Sequence, residues 1–254
     1  MQPSGVEQRV RLLCPDWIIN CAAYTQVDQA ESEVEQAMTV NRDSAAALAR
    51  AAAACHARLL HISTDFVFDG SQSRPYREDD TPGPLGVYGR SKLEGELAVK
   101  DALPDAVILR TAWVYGVHGH NFVKTMLRLA REGRPLRVVD DQTGTPTWAR
   151  DIAGAITALV QAGATGLFHY TSAGSVSWCG FASAILSEAA KTGFDIRTQT
   201  VEPITTADYP TPARRPAYSV LDTGKIETGL DLSIPAWRDS LVTMLGELYT
   251  CETS

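Results

Sequence analysis

The chain has 254 residues, is 44% hydrophobic and 21% charged, and carries a formal net charge of −7. A chain of this size buries one large core or two small ones, its composition is that of an ordered globular protein, and its acidic balance without a lysine–arginine cluster excludes nucleic acid as an expected partner. No stretch of about 18 apolar residues could cross a membrane, no apolar signal core opens the chain, and the scattered cysteines Cys14, Cys21, Cys55, Cys179 and Cys251 read as reduced thiols of a cytoplasmic protein.

Apolar spacing predicts helix and strand in alternation. Val6 to Leu13 reads as the end of a helix, and Asp16 to Ala23 as a buried strand running into a turn of small residues. Glu35 to Ala57 reads as one long alanine-rich helix, capped near Ser32. A strand over Leu59–Ser63 is followed by a polar loop from Asp69 to Gly86 and by a helix that carries Tyr88 and runs to about Lys100. Then come a strand at Ala106–Arg110, an amphipathic helix at Asn121–Glu132, a short strand at Leu136–Val139, a helix at Arg150–Ala162 and a strand at Gly166–Tyr170. This alternation predicts an α/β fold with a parallel sheet covered by helices on both faces. From Ser172 the texture changes: one helix at Phe181–Lys191, an irregular stretch over Pro203–Pro216, and a last helix at Trp237–Leu248. The expected division is a dinucleotide-binding domain over 1–171, with 116–148 also lining the substrate cleft, and a smaller substrate-binding region over 172–254.

A dinucleotide-binding sheet has a Gly-rich turn after its first strand. None occurs near the start of this chain. Gly83, Gly86 and Gly89 are evenly spaced, but Pro82 and Pro84 interrupt them and a loop precedes them where a strand is required. A strand–turn–helix unit of roughly 30–45 residues is therefore expected ahead of Met1, and the chain as it stands is expected to be a poor enzyme.

Tyr88 and Lys92 lie four residues apart on one predicted helix, so both side chains share a face. A cation beside a phenol favours the phenolate and lowers its pKa. The hydroxyl of Ser63 or Thr64 could hold a substrate oxygen against that phenol. The set is suited to protonating an alkoxide as hydride reaches a carbonyl.

Six motifs extend this set: Asn20–Asp28, Ser63–Gly70, Tyr88–Lys92, Arg110–Gly116, Asp141–Thr147 and Tyr209–Pro216. Together they resemble the dTDP-4-dehydrorhamnose reductase family of extended short-chain dehydrogenases/reductases, over essentially the whole chain. The runs Tyr-Pro-Thr-Pro-Ala-Arg-Arg-Pro and Asp-Gln-Thr-Gly-Thr-Pro-Thr are specific to that family. The resemblance implies a Rossmann-like doubly wound sheet and reduction of a dTDP-sugar ketone by NADPH or NADH. It implies Tyr88 as proton donor, Lys92 as the residue that binds the nicotinamide ribose and tunes Tyr88, and Thr64 beside the carbonyl with Asp65 next to it. Ala23, Tyr24 and Thr25 would form a cofactor loop, Val27 would lie near the sugar, and Trp113 would wall the sugar pocket. Asn121 would either cap its helix or touch the nucleotide sugar. One of Arg214 and Arg215, held between Pro212 and Pro216, would face the diphosphate. Some family members carry magnesium at a dimer contact through a glutamate; Arg150 stands in that place here, so no metal is expected, and the chain is expected as a monomer or weak homodimer.

Two other functions fit parts of the pattern. One is a different nucleotide-sugar epimerase or dehydratase; a dehydratase usually has further acid–base residues after the Thr64 position, and Phe66 follows Asp65 here. The other is a non-catalytic regulatory subunit resembling that of methionine adenosyltransferase, against which the intact Thr64, Tyr88 and Lys92 set speaks.

Overall fold

A computed structural model describes residues 3–253. Helix α1 (Pro3–Leu13) leads to strand β1 (Trp17–Asn20). The single helix expected over 35–57 is instead α2 (Val34–Met38), a π turn (Thr39–Asp43) and α3 (Ser44–Ala54). The π turn has a local cause. It brings Asn41 into the interior, where its side chain accepts from Tyr24 N–H at 2.8 Å and donates to Ser91 Oγ at 2.9 Å. One widened turn in a helix is a usual way to place such a residue.

Strand β2 (Arg58–Thr64), helix α4 (Val87–Ala102) and strand β3 (Val107–Thr111) follow. Then come β4 (Val114–Tyr115), α5 (Phe122–Arg131), β5 (Leu136–Val139), β6 (Thr143–Gly144), β7 (Thr147–Trp148), α6 (Ala149–Gln161) and β8 (Gly166–His169). The remainder is β9 (Val176–Ser177), α7 (Trp178–Thr192), β10 (Val201–Ile204), α8 (Gly224–Leu230) and α9 (Trp237–Thr253). The main sheet has the order β1-β2-β3-β8, and every pairing in it is parallel.

Side chains alternate between the faces of a strand. Leu59 packs with Ala45, Ala49, Ala52 and Val99, from α3 and α4. Its neighbour Leu60 packs on the opposite face with Ile152 and Leu159 of α6 and Ile226 of α8. The apolar strands and alanine-rich helix thus build the two-faced α/β layer that the sequence predicts. A second core joins Val123, Leu127 and Leu136 to Phe181, Ile185 and Leu245. Its small sheets pair β5 with β10 and β6 with β9, so residues of 123–148 are built into this second lobe as well as those beyond 172.

Helix α4 sits very close to the π turn. A Cβ on Gly95 would lie 2.2 Å from the carbonyl oxygen of Asn41. Overpacking of this kind costs about 1–3 kcal/mol, and here the obstacle is backbone. Gly95→Ala is expected to lower Tm by several degrees in thermal denaturation; an unchanged Tm would show that α4 can move off the π turn freely.

Candidate active site

Parallel α/β sheets bind ligands beyond the carboxyl ends of their strands. Thr64 is the last residue of β2, and Asp65 begins a 3-10 turn directly after it. Tyr88 lies in the first turn of α4, with Lys92 one turn on. A cavity of about 720 Å³ opens here, and Thr64, Asp65, Tyr88 and Lys92 all line it. Ala23, Thr25, Val27, Trp113 and Arg215 line it too. Residues distant in the chain are therefore brought to one place.

The electrostatics differ from the sequence expectation at one point. The Tyr88 phenol is pushed up to about 12, chiefly by burial; the Thr64 hydroxyl, within hydrogen-bonding reach, opposes this, and the charge of Asp65 adds to it. The Lys92 ammonium donates to the backbone oxygen of Ile62 at 2.6 Å. The tuning cation expected beside the phenol is thus turned to the strand. A phenol held in its protonated form is nonetheless the form that a ketone reduction consumes. Burial brings Lys92 itself down to about 8, with the charges of Glu96 and Cys21 opposing.

Behind these groups lies a buried ion pair that sequence reasoning missed. Arg110 donates to Glu96 through Nε at 2.9 Å and Nη2 at 2.6 Å, and Ser63 Oγ also donates to Glu96. It braces β2 and β3 against α4, and Glu96 follows Lys92 by one helical turn. Glu and Arg at these positions read in sequence as ordinary helix and strand polar residues.

Asp65 is almost fully buried, and its Oδ2 has no hydrogen-bond partner. Burial raises its carboxyl to about 6, against the lowering effect of the Ser219 and Thr64 hydroxyls. Because the folded value lies above the unfolded one, this group favours the fold at low pH and that contribution is lost as pH rises through about 6. Asp65→Asn is therefore expected to raise Tm relative to the parent at about pH 8, with the gap closing toward about pH 4. A gap that is the same at both values would contradict the buried, raised carboxyl.

The remaining predicted residues divide. Trp113 adopts φ +45°, a strained conformation for a bulky residue, and stacks on Trp178 with centroids 3.5 Å apart. It lies over Gly144, where a Cβ would be 2.5 Å from the indole. The glycine in Asp-Gln-Thr-Gly-Thr-Pro-Thr is thus what lets Trp113 wall the cavity. Arg215 faces the cavity, whereas Arg214 is exposed and lines none of it. Tyr24 turns away: its phenol donates to Glu33 at 2.8 Å, and its backbone N–H and C=O are both taken by Asn41. Asn121 caps α5 by accepting from Lys124 N–H at 3.1 Å and donates to the Gly116 oxygen at 2.7 Å. It lines another hollow, with His118, rather than the cavity of Thr64 and Tyr88. Gly83 and Gly86 lie in the loop before α4 and Gly89 in its first turn, as the proline-broken spacing implies. Among the described residues no group of His, Cys, Asp or Glu could hold a metal, and Arg150 pairs with Glu247.

A Tyr/Lys pair and a strand-end Thr at the carboxyl edge of a parallel sheet define the site of a short-chain dehydrogenase/reductase. The chain belongs to the dTDP-4-dehydrorhamnose reductase family. The RmlD substrate binding domain model matches residues 1–250. The chain is 47% identical to the dTDP-4-dehydrorhamnose reductase of Sinorhizobium fredii, over 93% of this chain and 82% of that protein. It is 43% identical to the reductase of Salmonella typhimurium, over 99% of this chain and 86% of that protein. Among solved structures, the Bacillus anthracis dTDP-4-dehydrorhamnose reductase in complex with NADP superposes with a TM-score of 0.92 at 38% identity, covering 96% of this chain and 85% of that one.

Proposed function

We propose that this protein reduces the 4-keto group of dTDP-4-dehydro-6-deoxy-L-mannose to give dTDP-L-rhamnose. The observation that carries this is the convergence of Thr64, Tyr88 and Lys92 on one cavity at the sheet edge. NADPH or NADH, when bound, supplies the hydride. The cavity reaches from Ala23 and Thr25 past Lys92 to Tyr88, and Lys92 is a buried ammonium donor, so these residues fit a nicotinamide ribose. Thr64 positions the sugar oxygen by turning its hydroxyl proton from Asp65 Oδ1 to that oxygen. As the keto carbon is reduced, that oxygen gains negative charge and takes the proton from the Tyr88 hydroxyl. Trp113 and Val27 wall the sugar and exclude water, and Arg215 meets the diphosphate.

Residues 1–171 form the cofactor-binding domain and 172–254 the substrate-binding region, with 116–148 and the side chains of Val27, Thr64, Tyr88 and Trp113 also lining the substrate cleft. None of the described helices is long and apolar enough to cross a membrane. The free cysteines support action in the cytoplasm, and Arg150, in the place of the glutamate of a metal-linked dimer, supports a monomer or weak homodimer. The test is consumption of NADPH and of NADH by the protein with dTDP-4-dehydrorhamnose. Consumption that depends on the sugar nucleotide, with dTDP-L-rhamnose as product, is expected of a chain extended ahead of Met1 by the strand–turn–helix unit, and little or none of residues 1–254 alone. Dinucleotide or sugar-nucleotide binding without turnover would favour the regulatory-subunit reading.

A further inference from the structure

Arg215 stands where the catalytic cavity meets a second chamber of about 440 Å³. Met126, Leu129, Leu136 and Val138 give this chamber an apolar wall, and Gln142 and Tyr209 give it polar groups. The two spaces share only Phe122, Trp178 and Arg215. An apolar chamber suits a nucleoside and the catalytic cavity a sugar, which leaves the diphosphate at the guanidinium between them.

That guanidinium is not free to turn. Asp28 takes it end-on, Oδ1 accepting from Nη1 at 3.0 Å and Oδ2 from Nη2 at 2.7 Å. Nη1 also donates to Thr211 Oγ1 at 2.6 Å and to the Ala213 oxygen at 3.2 Å. Asp28 in turn accepts from the Ala213 N–H at 3.2 Å, so it grips both the side chain and the loop that carries it. The Arg215 hydrogen bonds hold the Asp28 carboxyl below its ordinary range. No acceptor among the described residues takes the Arg215 Nε–H. The edge formed by Nε and the outer Nη2–H is therefore left for an anion, in one fixed plane. Arg binds phosphate through just such a two-point edge.

Asp28 also sits one turn from the catalytic helix. Glu31, three residues on, accepts the N–H of Val87 at 2.7 Å, directly before Tyr88. The same short turn thus holds Arg215 by one carboxylate and the start of α4 by the other.

We propose that Asp28 is a positioning residue: it orients Arg215 toward the diphosphate of the substrate and makes no contact with the substrate itself. This rests on the reading of the site as one for a nucleoside diphosphate sugar. Fixing the guanidinium in advance removes the cost of ordering a long side chain when the ligand arrives.

The test is calorimetric titration of dTDP, and separately of thymidine, into the parent, Asp28→Asn, Arg215→Met and the double variant. Coupled neighbours show interaction energies that correspond to about tenfold in affinity. Asp28→Asn is expected to weaken dTDP about tenfold, to leave thymidine unchanged, and to add nothing in the Arg215→Met background. Unchanged or tighter dTDP binding in Asp28→Asn would overturn the assignment, the second case marking Asp28 as a competitor of phosphate. So would an equal loss for thymidine, which is what a merely structural role would give, or a loss that simply adds to that of Arg215→Met. If Arg215→Met weakens dTDP and Asp28→Asn does not, only the role of Asp28 falls. If Arg215→Met itself leaves dTDP binding intact, the placement of the diphosphate falls with it.

Discussion

In a chain extended ahead of Met1, replacing Tyr88 with phenylalanine is expected to lower kcat by about 10²–10⁴-fold while KM changes far less. The ring contact with Phe66, with centroids 5.6 Å apart, survives the change, and so does the start of α4. What disappears is the hydroxyl proton that stands beside Thr64 on the helix side of the cavity. The phenol acts as charge develops on the sugar oxygen, so its loss falls on the transition state rather than on ground-state binding. Steady-state kinetics on the two proteins decide the matter. A variant that keeps more than half of the parent kcat would remove Tyr88 from the mechanism.

Lys92→Met is expected to separate stability from function. Burial has brought the ammonium down to about 8, below its ordinary 10.5. A basic group whose folded value is depressed costs stability below that value, and the cost is relieved as pH rises toward the unfolded value. Methionine fills a similar length of side chain without the charge. Glu96 keeps its two hydrogen bonds from Arg110, so the substitution strands no buried carboxylate. The variant should therefore have a higher Tm than the parent near neutral pH, with the difference shrinking toward about pH 10. It should also lose activity by about 10²-fold or more, as when a fixed electrostatic donor is removed from an active site. Parent-like turnover together with a lower Tm would refute both the strain at Lys92 and its part in the reaction.

Much of this site is legible in the sequence because its residues belong to short, local patterns. The strand that ends at Thr64 is marked by Leu59, Leu60 and Ile62 within one short run, and the Tyr88–Lys92 spacing needs nothing but helical periodicity to place both residues on one face. The strand-then-helix alternation likewise gives the parallel sheet. What sequence does not show is where an ammonium points. Spacing alone puts Lys92 beside Tyr88, but its ammonium donates to the backbone oxygen of Ile62. The π turn at Thr39–Asp43 is hidden for a related reason: an alanine-rich run reads as uninterrupted helix, and only the demands of Tyr24 and Ser91 on Asn41 break it. Tyr24 and Asn121 show how a candidate residue can support a site without lining its cavity. Their polar groups are used up by Glu33 and Asn41, and by Lys124 and Gly116. The second chamber depends on Phe122, Trp178 and Arg215 meeting across long stretches of chain, which no local pattern encodes.

The central claim is that hydride goes to the keto carbon of the sugar while Tyr88 protonates its oxygen. The most direct measurement is turnover of dTDP-4-dehydrorhamnose with a nicotinamide cofactor carrying deuterium at its transferable position, followed by mass spectrometry and NMR of the sugar nucleotide. The expected product is dTDP-L-rhamnose with one deuterium at the former keto carbon, and its formation should fall in parallel with kcat in Tyr88→Phe. Unlabelled product, deuterium at any other carbon, or undiminished labelling by Tyr88→Phe would contradict the mechanism.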